Sequence, residues 1–188
     1  GDQALKDKFL KNIVSFDDVC SYCLTEPGSG SDAAALKTKA SITNEGYSLN
    51  GSKSFISGGG FSDLYVVLCR TGDQTPNGIS MVLVENGQNG LSFGKKEQKM
   101  GWKAQPTAIV QFDNCSIPAA NLVGEEGAGF KYAMEGLDGG RLNIAAASLG
   151  GAQKAYEIAK SYSKERSAFG KPISRFQSIE FKLADMAT

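Results

Sequence analysis

The feature that most constrains the fold is a long central stretch of short apolar segments with no helical segment between them. Between residues 19 and 118, apolar residues alternate or run together in seven segments, at 22–25, 37–43, 47–57, 63–70, 78–85, 91–97 and 107–117. Gly, Asn and Asp residues punctuate the stretch, as is typical of strands joined by turns. Successive strands without intervening helices predict an antiparallel barrel or sandwich of about 100 residues.

Helical spacing replaces this pattern on both sides of the β region. Leu5, Phe9 and Ile13 lie four residues apart and form one apolar stripe, which predicts a short helix before the strands. After Pro118 the apolar residues again follow a helical period, which predicts a long helix to about Lys164. The fold class is therefore α+β, with a β-domain between a short N-terminal helix and the first helices of a C-terminal bundle.

Several local signals add detail to this outline. The pair Asn50-Gly51 is the one that a type I′ hairpin turn favours, and Ser174 with Gln177 three residues later matches a capping box at a last helix. Glu125 and Glu126 suit the first turn of the long helix, where acidic side chains are favourable.

Two glycine pairs, at 139–140 and 150–151, lie inside the predicted long helix. Each glycine costs roughly 1 kcal/mol relative to Ala in a helix interior. Either something approaches the helix backbone closely at these pairs, or the helix breaks or kinks there.

The domain boundaries follow from these changes of period. Residues 1–18 are expected to end a helical domain, 19–120 to form the β-domain, and 121–188 to begin a second helical domain. The chain starts on a helix and stops inside an uncapped apolar helix, so we expect it to be a piece of a longer protein.

Composition excludes several classes of function. The 20 Lys and Arg residues balance 20 Asp and Glu, so the net charge offers no attraction to nucleic acid or to an anionic membrane. No apolar run approaches the roughly 18 residues of a membrane helix, and the chain is expected to be soluble. The absence of histidine excludes Ser-His-Asp and Cys-His nucleophiles and histidine-ligated metals. Acid-base chemistry is left to Asp, Glu, Lys, Tyr or Cys.

The four cysteines are too few and too irregularly spaced for a small disulfide scaffold, which favours a reducing compartment. Cys20 and Cys23 form a CxxC, a weak signal for a redox pair or half of a zinc site. A redox pair requires a helix N-terminus, whereas this CxxC leads into a strand. A zinc site with four cysteines would have to recruit the isolated Cys69 and Cys115, so we expect no metal site.

Residues 28–33 fit the dinucleotide pattern G-x-G-x-x-A only superficially. Thr25, Glu26 and Pro27 separate the glycines from the preceding strand, and the following segment soon alternates like a strand instead of forming a crossover helix. A Gly/Ser loop of this kind still suits a phosphate or another polar cofactor edge. An ordinary solvent loop is the alternative interpretation.

The stretch from Tyr22 to Asp32, YCLTEPGSGSD, closely resembles the first signature of the acyl-CoA dehydrogenases. The resemblance continues in the family's order through residues 50–57 (NGSKSFIS), 99–102 (KMGW), 136–141 (GLDGGR), 165–172 (ERSAFGKP) and 183–187 (LADMA). It covers nearly the whole chain and is highly specific. Within the family the chain is most similar to the isobutyryl-CoA dehydrogenase branch, notably at residues 94–97 (GKKE) and in the Gly-Gly-Arg ending at Arg141.

The resemblance implies a subunit of three parts, a helical domain, a β-domain and a helical bundle, assembled as a homotetramer. It also implies a mitochondrial-type enzyme of the matrix that binds FAD. A carboxylate removes the α-proton of an acyl-CoA thioester while FAD takes hydride from the β-carbon, which gives a trans-2-enoyl-CoA. Electrons then pass to an electron-transfer flavoprotein.

The resemblance also implies roles for particular residues. Tyr22, Leu24 and Thr25 would line the flavin, with Thr25 at its pyrimidine edge, and Ser57 would place a hydroxyl near N5. Phe55 stands where the family more often has Trp and would still give a flat apolar wall. The residues expected to bind the cofactor are Tyr22, Leu24, Thr25, Gly30, Ser31, Phe55, Ile56, Ser57, Arg166 and Gln177.

Arg166 and Gln177 resemble the family positions that reach the FAD of a neighbouring subunit, at the pyrophosphate and the adenosine half respectively. The acyl-CoA would contact Ser31, Asp138, Gly139, Gly140 and Arg141, with the two glycines leaving room for the thioester or acyl group. Ordinary structural roles are the alternatives: satisfied strand hydroxyls at Thr25 and Ser57, an ion pair at Arg141, and solvated helix ends at Arg166 and Gln177.

A catalytic carboxylate is missing from the matched segments. A minority of the family place it immediately before the arginine of the Asp-to-Arg stretch, and here that position is Gly140. Glu26 and Asp32 belong to the flavin loop and are poor substitutes. The base is therefore expected after Thr188, and residues 1–188 alone are expected to be inactive.

Two other functions stay open at this stage. An acyl-CoA oxidase would use the same motifs but pass electrons to oxygen. Alternatively, the piece could be a non-catalytic β-domain used for binding or assembly.

Overall fold

The computed structural model describes residues 3–188, which form two compact units, one ending at Glu135 and the other running from Gly136 to Thr188. The helices are α1 (Gln3–Leu5), a π-helical turn (Lys6–Leu10), α2 (Lys11–Ser15), α3 (Gly129–Glu165) and α4 (Gln177–Ala187), with 3-10 turns at Ala33–Ala35, Pro76–Gly78, Ala119–Asn121 and Ile173–Arg175. The strands are β1 (Cys20–Cys23), β2 (Lys39–Thr43), β3 (Gly46–Ser57), β4 (Leu64–Arg70), β5 (Ile79–Glu85), β6 (Leu91–Phe93), β7 (Thr107–Pro118), β8 (Ser167–Ala168) and β9 (Lys171–Pro172).

The first seven strands form one sheet, in the order β1-β4-β2-β3-β7-β6 with β5 paired to β4. Most neighbours are antiparallel, as the sequence predicts, but β1 and β2 both run parallel to β4. Strand β5 covers one edge of β4 along its length, while the other edge pairs with β1 at Leu64–Val67 and with β2 only at Arg70. The chain between β1 and β2 therefore leaves the sheet and rejoins it along the same edge of β4.

The curled sheet encloses the main hydrophobic core, and the alternation in β3 and β7 shows how the sequence builds it. Tyr47 and Leu49 face inward from β3, opposite Ile117 and Cys115 of β7. The remaining members of this core are Cys23, Ala40, Ile56, Tyr65, Val67, Cys69, Val82, Val84, Val110 and Phe112. Each fully buried aliphatic side chain contributes roughly 1.5–3 kcal/mol.

The N-terminal helical segment packs on the opposite face of the sheet. Leu5 and Phe9 are buried against Leu64 of β4 and Leu83 of β5, and Ile13 packs at the edge of this cluster. This stripe is the one that the helical spacing predicts. A helix this short is marginal by itself, so its stability comes from this contact with the sheet.

The predicted hairpin turn at Asn50-Gly51 is wrong. Both residues lie inside β3, where the pairing with β7 shifts register between Leu49 and Gly51. Gly51 has a φ of 145°, and a Cβ there would lie 2.8 Å from the Cα of Thr38, so only glycine fits at this position, opposite a bulge whose extra residue lies on β7. Positive φ at both central residues of a two-residue turn instead occurs at Phe169-Gly170, between β8 and β9.

Two helix starts also differ from the sequence-based prediction. Glu125 and Glu126 precede α3 because Gly124 and Gly127 adopt positive φ, which ends any helix before Gly129. The capping box at Ser174 and Gln177 does not form: Phe176 is the N-cap residue of α4 and no side chain caps it.

The long helix α3 continues without interruption through both glycine pairs, so the alternative interpretation of a break does not apply. Within the part of the chain that the structure describes, no atom approaches closer than 4 Å to the Cβ position of any of these four glycines. None of the helices in residues 3–188 has the length and apolar character needed to cross a membrane.

Candidate functional site

Two segments that carry predicted cofactor residues lie side by side in the first unit. The Ser54 amide of β3 donates to the Thr25 carbonyl at 2.8 Å, and the Ser21 hydroxyl of β1 donates to the Ser57 carbonyl at 2.6 Å. The end of β3 therefore runs along the chain that leaves β1. These contacts bring Tyr22, Leu24 and Thr25 together with Phe55, Ile56 and Ser57.

The side chains of this pair of segments divide between the core and the surface. Tyr22, Phe55 and Ser57 are exposed and Thr25 is half-buried, whereas Leu24 and Ile56 are buried. Since the Ile56 side chain belongs to the sheet core, only the main chain of Ile56 could contact a cofactor. The buried part of the Tyr22 side chain raises the pKa of its hydroxyl to about 12.

Phe55 stands out for its backbone as well as its exposure. Its φ is 57°, a region that non-glycine residues rarely adopt, and its ring is 69% exposed. The pairing of β3 with β7 is interrupted between Lys53 and Ile56, which frees this residue to turn outward. An exposed ring on an unusual backbone conformation is a feature that concentrates at ligand sites.

Beneath these segments lies a buried ion pair between Lys53 of β3 and Glu26. The Lys53 ammonium donates to the Glu26 carboxylate at 2.8 Å and to the Leu24 carbonyl at 3.0 Å. Both oxygens of Glu26 also accept main-chain amides, from Lys37 at 2.7 Å and Thr38 at 2.9 Å. The Lys53 side chain has no exposed surface.

Burial and charge act in opposite directions on this pair. Burial lowers the pKa of Lys53 below its usual value, although the Glu26 carboxylate opposes that shift. Burial alone would raise the pKa of Glu26, but the Lys53 ammonium and the Lys37 amide together lower it. Glu26 is therefore an ionised structural carboxylate, and its three hydrogen bonds, from Lys53, Lys37 and Thr38, leave it no role as a base.

The loop after Thr25 is ordered at both ends. Glu26 and Ser29 exchange main-chain hydrogen bonds, which closes a tight turn over Pro27 and Gly28. Gly30 and Ser31 follow on the exposed side, and a Cβ at Gly30 would meet no atom within 4 Å.

Arg70, buried at the end of β4, fixes the far end of this loop. Its guanidinium donates to the carbonyls of Ala34 and Leu36, and also to those of Asp73 and Thr75. Gly30 and Ser31 expose main-chain groups and one hydroxyl beside the exposed Asp32 carboxylate, and main-chain amides of this kind suit a polar ligand edge.

A groove of about 1060 Å³ adjoins Ser57. Its lining includes Phe61, three lysines and one acidic residue, namely Lys96, Lys99, Lys103 and Glu97. Its volume suits a large organic ligand, and its lysines favour one that carries negative charge.

The CxxC motif lies on strand β1, and the G-x-G-x-x-A pattern lies in the loop that follows it. Cys20 is exposed and Cys23 buried on alternating sides of β1, and burial raises the pKa of Cys23 to about 12, the opposite of what a reactive thiol needs. The cysteines at 20, 23, 69 and 115 are all free thiols. In the described part of the chain, no cluster of three potential ligands could hold a metal ion. Residues 28–33 lead to a 3-10 turn instead of a crossover helix.

The second unit carries the other predicted residues. Asp138, Gly139, Gly140 and Arg141 lie on α3, and neither Asp138 nor Arg141 has an ion-pair partner among residues 3–188. The open Cβ positions of the two glycines leave that side of the helix unobstructed within the chain.

Arg166 and Gln177 flank the β8–β9 hairpin. The Ile173 amide donates to the Arg166 carbonyl at 2.8 Å, and Gln177 is the first residue of α4. Both side chains are exposed, and within the described residues neither makes a hydrogen bond to protein. They are therefore free to bind a group outside this unit.

These residues fit a flavin nucleotide. The hydroxyls of Thr25 and Ser57 make no hydrogen bond within residues 3–188. The exposed ring of Phe55 lies two residues before Ser57 on β3, and the exposed loop at Gly30 presents main-chain groups. FAD needs these same groups: donors and acceptors for its ring edge, an apolar face, and main-chain contacts for its phosphates.

A curled β-domain that gathers hydroxyls, an exposed ring and a Gly/Ser loop at one place suits a flavin-binding protein. Residues 21–115 match the profile "Acyl-CoA dehydrogenase, middle domain", and residues 127–188 match "Acyl-CoA dehydrogenase, C-terminal domain". The chain belongs to the acyl-CoA dehydrogenase family. Members of this family are FAD-dependent.

Individual relatives agree with this assignment. The chain is 53% identical to mitochondrial isobutyryl-CoA dehydrogenase of Dictyostelium discoideum and 52% identical to that of Bos taurus, in each case over 100% of this chain and 45% of the relative. The chain thus spans about half the length of these curated relatives. These sequence identities confirm the predicted resemblance to the isobutyryl-CoA dehydrogenase branch.

Solved structures confirm the fold class. Butyryl-CoA dehydrogenase from Megasphaera elsdenii superposes with a TM-score of 0.95 at 46% identity, over 100% of this chain and 49% of the other. A chain from a structure described as the electron transferring flavoprotein of Acidaminococcus fermentans gives 0.96 at 47% identity, over 100% and 50%. The FAD complex of PigA gives 0.94 at 31% identity, over 100% and 49%.

Sequence reasoning did not find the ion pair beneath the site. The motifs place Glu26 in the flavin loop, and they predict no role for Lys53 or Arg70. The one available signal was the position of Lys53 on β3, an even number of residues after the inward-facing Leu49. Its partner lies 27 residues away in sequence, a separation that no local pattern reveals.

Proposed function

We propose that the whole protein is an FAD-dependent acyl-CoA dehydrogenase that oxidises a short or branched acyl-CoA to its trans-2-enoyl-CoA. The observation that carries this proposal is the joining of Thr25 to the β3 segment 54–57, which gathers two free hydroxyls and an exposed ring at one place. The similarity to isobutyryl-CoA and butyryl-CoA dehydrogenases supports the substrate class.

FAD supplies the hydride acceptor for the β-carbon of the substrate. The protein's part is to orient the ring: Thr25 at one edge, Ser57 at another, and Phe55 against a face. Hydrogen-bond donors fixed in place before the reaction stabilise developing charge without the cost of reorganisation. The first unit supplies such fixed groups because main-chain bonds and a buried ion pair hold the segments that carry them.

The second unit is proposed to bind the acyl-CoA and to complete a neighbouring site. Asp138 and Arg141 would bind polar parts of the substrate, and Gly139 and Gly140 would let its thioester or acyl group approach the helix. Arg166 and Gln177 would reach the FAD of another subunit, so that a homotetramer forms the complete sites. An arginine suits this role because its guanidinium binds phosphate in two parallel hydrogen bonds.

The base that removes the α-proton is proposed to lie outside residues 3–188. Gly140 occupies the one matched position where some members of the family carry it, and Glu26 is committed to its ion pair. We also propose an electron-transfer flavoprotein as acceptor and the mitochondrial matrix as location, in line with the relatives named mitochondrial.

The test uses the whole protein with isobutyryl-CoA and n-butyryl-CoA and an artificial electron acceptor, with products identified by mass spectrometry. We expect each consumed thioester to lose two hydrogens and become the 2-enoyl-CoA. A purified protein without FAD and without product would contradict the proposal and favour a binding module. Rapid reoxidation by oxygen, with peroxide released, would instead identify an oxidase.

A further inference from the structure

We propose that the buried Glu26–Lys53 pair is a positioning device that sets the cofactor-binding geometry of Thr25. This inference deepens the proposed function and rests on it, since it concerns the same FAD site. The Lys53 side chain is completely buried and cannot contact a cofactor directly. Any effect of the pair on a cofactor is therefore transmitted through the main chain.

The first step of the argument is the order of contacts along β3. Lys53 holds the Leu24 carbonyl through its ammonium, and the next residue, Ser54, holds the Thr25 carbonyl through its amide. Two successive residues of one strand thus fix two successive carbonyls of the other segment. Phe55 is the next residue on β3. The distance between Thr25 and Phe55 therefore depends on where Lys53 holds the Leu24 carbonyl.

The second step concerns the loop that begins at Thr25. Glu26 accepts the amides of Lys37 and Thr38, which lie at the far end of that loop, just before β2. One carboxylate therefore ties the start of the loop to its end, across eleven and twelve residues of chain. This closure fixes the path that presents Gly30 and Ser31.

The third step is energetic. A buried ion pair is weak evidence for stability, because the cost of removing two charges from water can exceed their attraction. Apolar residues of similar volume often replace such a pair with no loss of stability. The four directed contacts of this pair are what an apolar replacement would lack, so its specific contribution is the position of the chain.

The main experiment replaces both charges together, as Glu26→Gln with Lys53→Met, in the whole protein. Removing both avoids leaving one buried charge without its partner. We expect the double variant to fold with a thermal midpoint within a few degrees of the wild type. We also expect it to bind FAD at least tenfold more weakly, with a shifted midpoint potential of the bound flavin.

Val67→Ala is the matched control. Val67 is fully buried on β4 opposite Cys23, so its truncation disturbs the same core without touching either charge. This variant should lower the thermal midpoint while FAD affinity and flavin potential stay at wild-type values. A folded double variant with wild-type affinity and potential would overturn the inference and leave the proposed function intact. A wild-type protein that binds no FAD would overturn both.

A measurement on the wild-type protein needs no variant to fold. If the pair fixes the loop in advance, the amides of Lys37 and Thr38 should be protected from hydrogen exchange equally in the FAD-free and FAD-bound protein. Fast exchange at both amides in the FAD-free protein, with protection only after FAD is added, would show that the cofactor orders the loop and would overturn the inference.

Discussion

The Ser54 amide donates to the Thr25 carbonyl at 2.8 Å, so a main-chain hydrogen bond joins the two segments that carry the proposed flavin contacts. At this point β3 has left its regular pairing with β7, and the bond to Thr25 replaces that pairing. Because the bond is between main-chain atoms, side-chain substitutions at either residue should preserve it. Individual side chains of the site can therefore be tested without dismantling it.

Replacing Thr25 by Val or Ser57 by Ala should weaken FAD binding in the whole protein. Within residues 3–188 neither hydroxyl makes a hydrogen bond, and losing a bond from it to a buried cofactor atom costs about 1–3 kcal/mol. Isothermal titration of the FAD-free protein measures the change. Thr43→Val and Ser41→Ala, on exposed positions of β2, serve as controls and should bind FAD normally. Unchanged affinity, potential and turnover in both site variants would remove Thr25 and Ser57 from the site.

Arg166→Ala should raise the dissociation constant of FAD in the whole protein. A charge-assisted contact to phosphate is worth about 1.5–3 kcal/mol, which corresponds to a change of roughly ten- to a hundredfold. Arg175, exposed in the neighbouring 3-10 turn, provides the control Arg175→Ala. Equal FAD affinity in the Arg166 variant, with the assembly intact by sedimentation, would exclude the proposed role across subunits.

Gly140→Ala should separate stability from substrate binding. Alanine is better than glycine in a helix interior by about 1 kcal/mol, and the space beside Gly140 is open within the chain, so the helix should be stabilised. If the acyl-CoA lies against this backbone, the added methyl group should raise KM or lower kcat. Gly151→Ala is the matched control and should stabilise without a kinetic effect. Identical kinetics for the two variants would show that the glycines at 139–140 do not face the substrate.

Stability should fall at acid pH through Glu26. The pKa of this carboxyl is lower in the folded protein than its ordinary value of 4.5, so the unfolded chain binds the proton more readily. The stabilisation is therefore complete above pH 4.5 and is lost as pH falls through the lower pKa of the folded state. Thermal midpoints between pH 7 and pH 3 should show Glu26→Gln less stable than the wild type at neutral pH, with the difference shrinking in acid. Glu45→Gln, at an exposed turn, should show no such trend, and a constant difference for Glu26→Gln would contradict the assignment.

Residues 1–188 alone, mixed anaerobically with FAD and a panel of short and branched acyl-CoAs, should show no bleaching of the flavin by substrate. General-base assistance is typically worth about 10²- to 10⁴-fold, and the proposed base is outside this segment. Bleaching at an enzyme-like rate would place a base inside the segment. The whole protein, tested in parallel, is the control for substrate quality.

Local periodicity predicted the sheet and the N-terminal helical segment because their apolar side chains are buried at regular spacings. The inward alternation of Tyr47 and Leu49 predicts β3, and the four-residue spacing of Leu5 and Phe9 predicts the helix that packs on the sheet. The hairpin prediction at Asn50-Gly51 was wrong because glycine at positive φ also occurs inside a strand, where another part of the backbone approaches closely. In the second unit, Phe169 adopts a turn conformation that its side chain does not favour.

Sequence motifs predicted the residues of the candidate site, but they did not predict the hydrogen bonds that hold those residues in place. Thr25 and Ser57 were identified from their motifs, whereas the bond from Lys53 to Leu24 depends on tertiary folding across 29 residues of sequence. No local sequence pattern predicts that a lysine on β3 will bind the carboxylate of a loop 27 residues away in sequence. Such long-range polar contacts need the folded structure.

The most direct test of the central claim is anaerobic stopped-flow of the FAD-loaded whole protein with isobutyryl-CoA or n-butyryl-CoA, followed at the flavin absorbance. The account predicts rapid, substrate-dependent bleaching, with the spectrum restored when an electron-transfer flavoprotein is added, and slower or weaker bleaching in Ser57→Ala. A stably FAD-loaded protein whose flavin is reduced by no acyl-CoA, short or branched, would contradict it.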